Sequence, residues 1–332
     1  MYIYITFDYE MFLGPNIGSV DKCLIEPTNR IMEIGDKYDV RFTFFVDVLY
    51  LIKMHEYIVI SNKIRNDYLR VTQQIKCLAG KGHSIQLHLH PQWFYSHYDT
   101  NLNKWNMDFK HYMLDSCPLT DVETMINNGI RFLFDLTGRP VSAFRAGGYS
   151  FPKNQAYTHL LQQNGIINDS SVFMLKKEYS QFQNYDYSSI KSFFSYQFDD
   201  NITQPSAGGL MTEYPISAIR LSAPTYLYYR LLKGRNYRKK SKVYGDGIGV
   251  GAKLSFVSRM NNRLKQLVYP TIIPASLDSM KSLFLDKVKK RAFTNRGNCF
   301  VIIGHPKNTS ELGLECLERI AKCDANMIGV IA

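Results

Sequence analysis

Short apolar runs rich in β-branched and aromatic residues recur along the chain: "IYITF" at 3–7, "VRFTFFV" at 40–46, "HSIQLHL" at 83–89, "VSAFR" at 141–145 and "CFVIIGH" at 299–305. Runs of this length and composition predict buried strands. Between them the pattern predicts helices near 28–38, 68–81, 120–137, 153–164, 276–290 and 309–322. Strands and helices in alternation predict an α/β fold with parallel strands, barrel-like, whose chemistry collects at the carboxy-terminal ends of strands. The stretch 180–275 breaks the alternation with Tyr-rich, basic and Gly-rich segments. It reads as an irregular insertion within a single domain spanning 1–332.

The unusual polar residues fall where that rule puts chemistry. Asp8 and Glu10 end the first strand, His88 and His90 the third, Arg145 the fourth and His305 the last. Side chains at i and i+2 of an extended segment share a face, so Asp8 pairs with Glu10, and His88 with His90. Histidines so placed either hydrogen-bond within a core or, joined by the two carboxylates, hold a divalent cation with one side open to water. A metal-free pair of carboxylates doing acid–base work is a further reading, to which the histidines are less natural. His305, in "VIIGHPKN", is placed to donate a proton, or else caps a loop. Trp93 and the tyrosines at 225–229 are candidates for stacking on a sugar, with core packing as the alternative.

Composition narrows the setting. The 332 residues carry a formal net charge of +11, concentrated in "RLLKGRNYRKKSK" at 230–242 and "DKVKKR" at 286–291. Such patches favour an anionic partner, either a phosphorylated carrier or a membrane surface, or are solvated faces without a ligand. No nucleic-acid module is recognisable, and nucleic acid is not an expected partner. The six cysteines contain no C-x-x-C pair, which fits a reduced, cytoplasmic setting. No run approaches the roughly eighteen apolar residues of a membrane span. The chain enters "YIYITFDYE" directly after Met1, without the features of a secretory signal. The expectation is a cytoplasmic protein that touches the inner membrane face, if at all, through 230–242. "GDGIGVGA" at 245–252 contains a nominal G-x-G-x-x-A but follows no clear strand, so no dinucleotide is expected. No G-x-S-x-G elbow or phosphate-binding G-x-x-x-x-G-K-[ST] loop is present.

Six motifs, in order, resemble the polysaccharide deacetylase family, carbohydrate esterase family four. "ITFDYE" is similar to its T-F-D-D motif and "VRFTFFV" to its A-T-F-F-V strand. "GKGHSIQLHLH" resembles G-H-E-I-x-x-H, "TGRPVSAFRAGGYS" the R-x-P-Y segment, "NGIINDSSVF" the G-I-x-Y-D-S-S-V stretch, and "IIGHPKN" the final histidine motif. The resemblance implies a distorted, incomplete (β/α) barrel of about seven strands. It implies Asp8 as catalytic base, His88 as a metal ligand, Arg145 as the residue holding the base and His305 as general acid; Trp93 and Tyr149 are the candidate substrate contacts. Two of the family's ligands are absent, because Tyr9 stands at the second aspartate and Gln92 at the second histidine. Glu10 and His90 are the expected replacements, each two residues from an aligned partner and on the same face.

The F-D-x-E and H-x-H pattern resembles deacetylase-like proteins of surface-polysaccharide gene clusters. The activity it implies is hydrolytic removal of an acyl group, such as acetyl, from an amino sugar, nucleotide- or lipid-linked, in cell-surface glycan assembly. The cofactor would be a divalent metal, zinc first. The alternatives are a catalytically inactive glycan- or carrier-binding protein on the same fold and a hydrolase of another C–N amide bond.

Overall fold

A computed structural model describes residues 1–250 and 269–332. Residues 251–268 of the expected insertion, including the final two residues of "GDGIGVGA", lie outside the described residues.

The apolar runs form strands. They are β1 (Tyr2–Tyr9), β2 (Thr43–Asp47), β3 (Ser84–Leu89) and β4 (Ala143–Ala146), followed by two very short strands, β5 (Asn168–Asp169) and β6 (Met211–Glu213), and by β7 (Cys299–Gly304). They lie side by side in the order β6-β5-β4-β3-β2-β1-β7, and every pairing in that row is parallel. Tyr196–Phe198 adds an antiparallel edge to β6. The row curls until Ile216 bridges both Val301 of β7 and Phe173, just past β5. Single-residue bridges thus stand where a complete barrel would have strands. The insertion expected over 180–275 needs correcting in its first part, because Tyr196–Phe198 and Met211–Glu213 belong to the main sheet.

Helices α1 (Glu26–Tyr38), α2 (Val48–His55), α3 (Asn62–Gly80), α4 (Leu119–Thr137), α5 (Gln155–Gln163), α6 (Leu285–Thr294) and α7 (Glu311–Asp324) connect and cover these strands. The apolar run "FFVDVLYLI" divides at Asp47, where β2 ends and α2 begins. Helix α3 starts earlier than its periodicity suggests because Ser61 caps it, its Oγ accepting from the Ile64 N–H at 3.3 Å. The helix expected over 276–290 is displaced: Ser276 bridges Ile303 of β7, Ser279–Phe284 forms a 3₁₀ turn, and α6 follows. Among the described residues, no helix is long and apolar enough to cross a membrane.

Strand alternation separates one large buried cluster from two small ones, the first of these being Ile216, Cys299, Val301 and Ile303. Ile3, Ile5, Phe7, Phe44, Val46, Leu87, Leu89 and Phe144 join the large buried cluster that includes residues of the covering helices. Phe45, Ala143 and Ile331 form a separate small cluster, inside the curl. The tail closes the end remote from the polar residues: Ile331 N–H donates to Thr43 Oγ1 at 2.9 Å and its carbonyl accepts from Ser84 Oγ at 2.7 Å. The opposite end, where the strands finish, is left for side chains with chemistry.

One buried histidine belongs to the scaffold. His83 is fully buried, its Nδ1 accepts the Phe42 N–H at 3.0 Å, and its Nε2 has no partner. Burial lowers its pKa to about 4, so the native state holds the ring neutral at pH values where the unfolded chain is already protonated. The unfolded state then binds more protons, and stability falls with pH below about 6.5, by up to about 3 kcal/mol by pH 4. His83→Asn keeps an acceptor but does not titrate. Urea unfolding between pH 7 and 4 should show a shallower loss of stability in this variant than in the wild type.

Candidate metal and catalytic site

The carboxy-terminal ends of β1, β3, β4 and β7 open into a pocket of about 500 Å³. Its lining includes Asp8, Glu10, His88, His90, Tyr112, Tyr149, Asp278, His305 and Lys307. Alternation along β1 and β3 turns the side chains of Asp8, Glu10, His88 and His90 inward, as extended backbone requires.

Glu10 is the centre of the cluster. Its Oε2 lies 3.2 Å from His88 Nε2 and 2.5 Å from His90 Nε2. The donor atoms of Glu10, His88 and His90 lie within 4.8 Å of one another, and all three residues are buried. The other oxygen, Oε1, accepts from Lys307 Nζ at 2.8 Å, and the same ammonium donates to the Met11 carbonyl at 2.7 Å. Burial alone would push the Glu10 carboxyl up, but Lys307, His90 and His88 hold it well below the ordinary carboxylate range.

The donor chemistry fits a divalent cation. Two imidazole nitrogens and one carboxylate are a usual ligand set for zinc and its first-row neighbours. His88 is oriented for it: its Nδ1 lies 2.7 Å from the Arg145 carbonyl, so the Nδ1–H donates there and Nε2 is left to face Glu10. Burial works against charge on His88, yet Asp8, then Glu10 and Asp47, outweigh it and raise the ring to about 9. A cation entering the cluster therefore displaces a proton. His90 is held by shape. Gly147 sits so close that a Cβ there would stand 2.7 Å from His90 Nδ1 and 2.6 Å from the Leu89 carbonyl oxygen.

Asp8 stands apart from this triad. Its Oδ1 accepts from Arg145 Nη1 at 2.6 Å, and Oδ2 lies 3.5 Å from His305 Nε2. The guanidinium is fully buried and directs three more donors to the Ser170 carbonyl at 2.7 Å, Ser170 Oγ at 2.7 Å and Thr6 Oγ1 at 3.0 Å. Its underside rests 4.2 Å from the centroid of the Phe45 ring. Behind His305, Asp278 accepts both the Nδ1 proton and the backbone N–H of that residue, each at 2.9 Å. Burial opposes charge on both, but the pairing raises His305 and lowers Asp278 to about 2. Asp8 and His305, a carboxylate and an imidazole, face one pocket.

The structure thus brings Asp8, Glu10, His88, His90, Arg145 and His305 together, with Tyr149 on the wall. Tyr149 has φ = 62° in the turn that follows β4, a backbone conformation rare for a residue with a side chain. The Tyr187 hydroxyl fastens that turn by donating to the Tyr149 carbonyl at 2.7 Å. Trp93 is a correction. It is fully buried, with Tyr50 and Trp105 against it at centroid distances of 4.7 and 5.3 Å, and presents no face to a sugar. Three functional residues were not read from the sequence. Lys307 sits in the 3₁₀ turn Pro306–Asn308 that follows β7, where the alternation that placed the residues of β1 and β3 no longer applies. Asp278 has no local signal, being 27 positions from its partner. Asp47, whose carboxyl burial pushes up to about 8, was visible only as a break in an apolar run.

No family model matches the chain, and no curated protein matches it. Among solved structures, a protein assigned as a polysaccharide deacetylase from Mycobacterium smegmatis aligns over all of this chain and 87% of its own, with 14% identity and a TM-score of 0.49. A family 4 carbohydrate esterase from Streptomyces lividans, in complex with acetate, aligns over all of this chain and 92% of its own, at 11% identity and a TM-score of 0.41. A family 4 pseudoenzyme from Bacillus anthracis aligns over 50% of this chain and 41% of its own, at 13% identity and a TM-score of 0.31. Likeness at this level carries no argument about chemistry, which rests on the side chains described above.

Replacing Arg145 by Met should cost about 3–5 kcal/mol in urea unfolding, because the buried Asp8 carboxylate loses its hydrogen-bonded guanidinium partner. Adding Asp8→Asn should recover part of that loss, whereas a purely steric role for Arg145 would leave the double variant no better than the single one.

Proposed function

We propose that this chain is a divergent family 4 carbohydrate esterase: a metal-dependent hydrolase that removes an acyl group, such as acetyl, from the nitrogen of an amino sugar. The observation that carries this reading is the placement of the Glu10–His88–His90 triad beside the Asp8–His305 pair in one pocket.

Glu10, His88 and His90 would hold the cation. When bound, a divalent ion supplies Lewis-acid polarisation of an amide carbonyl and acidifies water. Asp8, fixed in direction by Arg145, accepts the proton of the attacking water. His305, charged through its pairing with Asp278, delivers a proton to the departing amine. Tyr149 and Tyr112 flank the sugar on the pocket wall. Lys307 fixes Glu10 by one oxygen and leaves the other to the histidines. The substrate is an intermediate of cell-surface glycan assembly, nucleotide- or lipid-linked, met in the cytoplasm. The exposed basic side chains Arg235, Arg238, Lys239 and Lys242 approach its phosphate or the anionic inner face of the membrane.

Lys307 also favours a second reading. An ammonium already neutralises Glu10, as a site that had lost its cation would require, so the same pocket fits a non-catalytic glycan-binding protein.

Elemental analysis separates the two. The hydrolase reading expects about one divalent ion per chain, zinc first, lost on His88→Ala with His90→Ala; no metal after supplementation supports the binding protein. On an N-acetylated amino sugar that the wild type deacetylates, Asp8→Asn and His305→Gln should each lower kcat by about 10²- to 10⁴-fold and leave metal content intact. Unchanged turnover in Asp8→Asn would remove it as the base.

A further inference from the structure

A second cavity, about 740 Å³ in volume, shares no lining residue with the catalytic pocket. It lies against α6 and the strand Ala218–Leu221. Phe193 and Asn295 mark its position in the fold: the Phe193 carbonyl accepts the N–H of Cys299, the first residue of β7, whereas His305 follows the last. The two openings therefore belong to opposite ends of the same strand.

The lining carries Lys191, Arg220, Lys287, Lys290 and Arg291, and no aspartate or glutamate. Three of these come from α6, where Lys287, Lys290, Arg291 and Thr294 follow the spacing i, i+3, i+4, i+7 and so share one face. Like charges at that spacing repel, which makes the stripe mildly unfavourable to the helix by itself. Elsewhere on this surface charge is neutralised, as in the pairs Lys289–Asp324 and Arg319–Asp286. Among the described residues, none of the five cations of the cavity forms an ion pair with a carboxylate. Beneath them the floor is apolar, built from Phe193, Ile219 and Leu221, all buried.

We propose that this cavity binds a phosphate- or diphosphate-bearing molecule with an apolar body. Arg220 and Arg291 offer forked donors suited to phosphate oxygens, the lysines supply further positive charge, and the apolar floor takes the attached group. The proposal does not rest on hydrolysis at the other end of the barrel. The phosphate has two possible sources, a soluble phosphorylated molecule or an anionic lipid headgroup.

The test uses the full chain and two probes: inorganic pyrophosphate in calorimetry, and sedimentation with phosphatidylcholine vesicles with and without phosphatidylglycerol. The site variant is Lys287→Gln, Lys290→Gln, Arg291→Gln. The comparison variant, Lys76→Gln, Arg131→Gln, Arg139→Gln, removes equal charge from exposed positions outside both the cavity and the basic segment 230–242. The expected result is a loss of affinity of at least about tenfold in the site variant only, with Lys287→Arg, Lys290→Arg retaining binding. Binding of pyrophosphate assigns a soluble source, and binding to phosphatidylglycerol vesicles alone assigns the lipid. Equal losses in the two triple variants, or no binding of either probe by the wild type, would overturn the proposal.

Discussion

The interior of this barrel is organised by one buried ion pair, Arg145 with Asp8. A guanidinium removed from water is costly unless its donors are used and its charge is met. Here β1 supplies the carboxylate and a threonine hydroxyl, the segment after β5 supplies the Ser170 hydroxyl and carbonyl, and β2 places Phe45 beneath the cation. The arginine is thereby a fixed point to which strands from both halves of the open sheet are referred. It also sets the site, because its own backbone carbonyl orients His88 and its side chain orients Asp8.

A second arrangement supports the first. Asp169 and Glu213 are neighbours across β5 and β6, both fully buried. Burial raises Glu213 well above its ordinary range and Asp169 to about 6, so the pair holds a proton between two carboxyls rather than two charges. Their oxygens accept the N–H groups of Ser171 and Val172 and shape the turn that presents Ser170 to Arg145 and Ser171 to the Ala146 N–H. Without that proton the barrel interior would carry an uncompensated negative charge beside the guanidinium that Asp8 already satisfies.

Legibility in the sequence followed the size of the local signal. Strands β1 to β4 and β7 show as apolar runs because their outward side chains enter a thick core under the helices. Strands β5 and β6 are two and three residues long and carry Asp169 and Glu213, so nothing local distinguishes them from loop. The site was readable where alternation alone sets direction, at Asp8, Glu10, His88 and His90. Asp278 escaped because it reaches His305 only through the fold. Trp93 was misread for a related reason. An aromatic residue at the end of a strand looks available, but the packing of Tyr50 and Trp105 decides whether its face is free, and these lie 43 and 12 positions away.

The close approach of Gly147 to His90 makes the turn after β4 and the triad one steric unit. Any attempt to graft Glu10, His88 and His90 onto another scaffold must carry the bare backbone of Gly147 with them, and Lys307 to anchor the carboxylate. The transferable part is thus a block drawn from four chain segments, not a three-residue motif, and a homologue sharing the motif but bearing a side chain at the glycine position would need a different geometry for its second histidine.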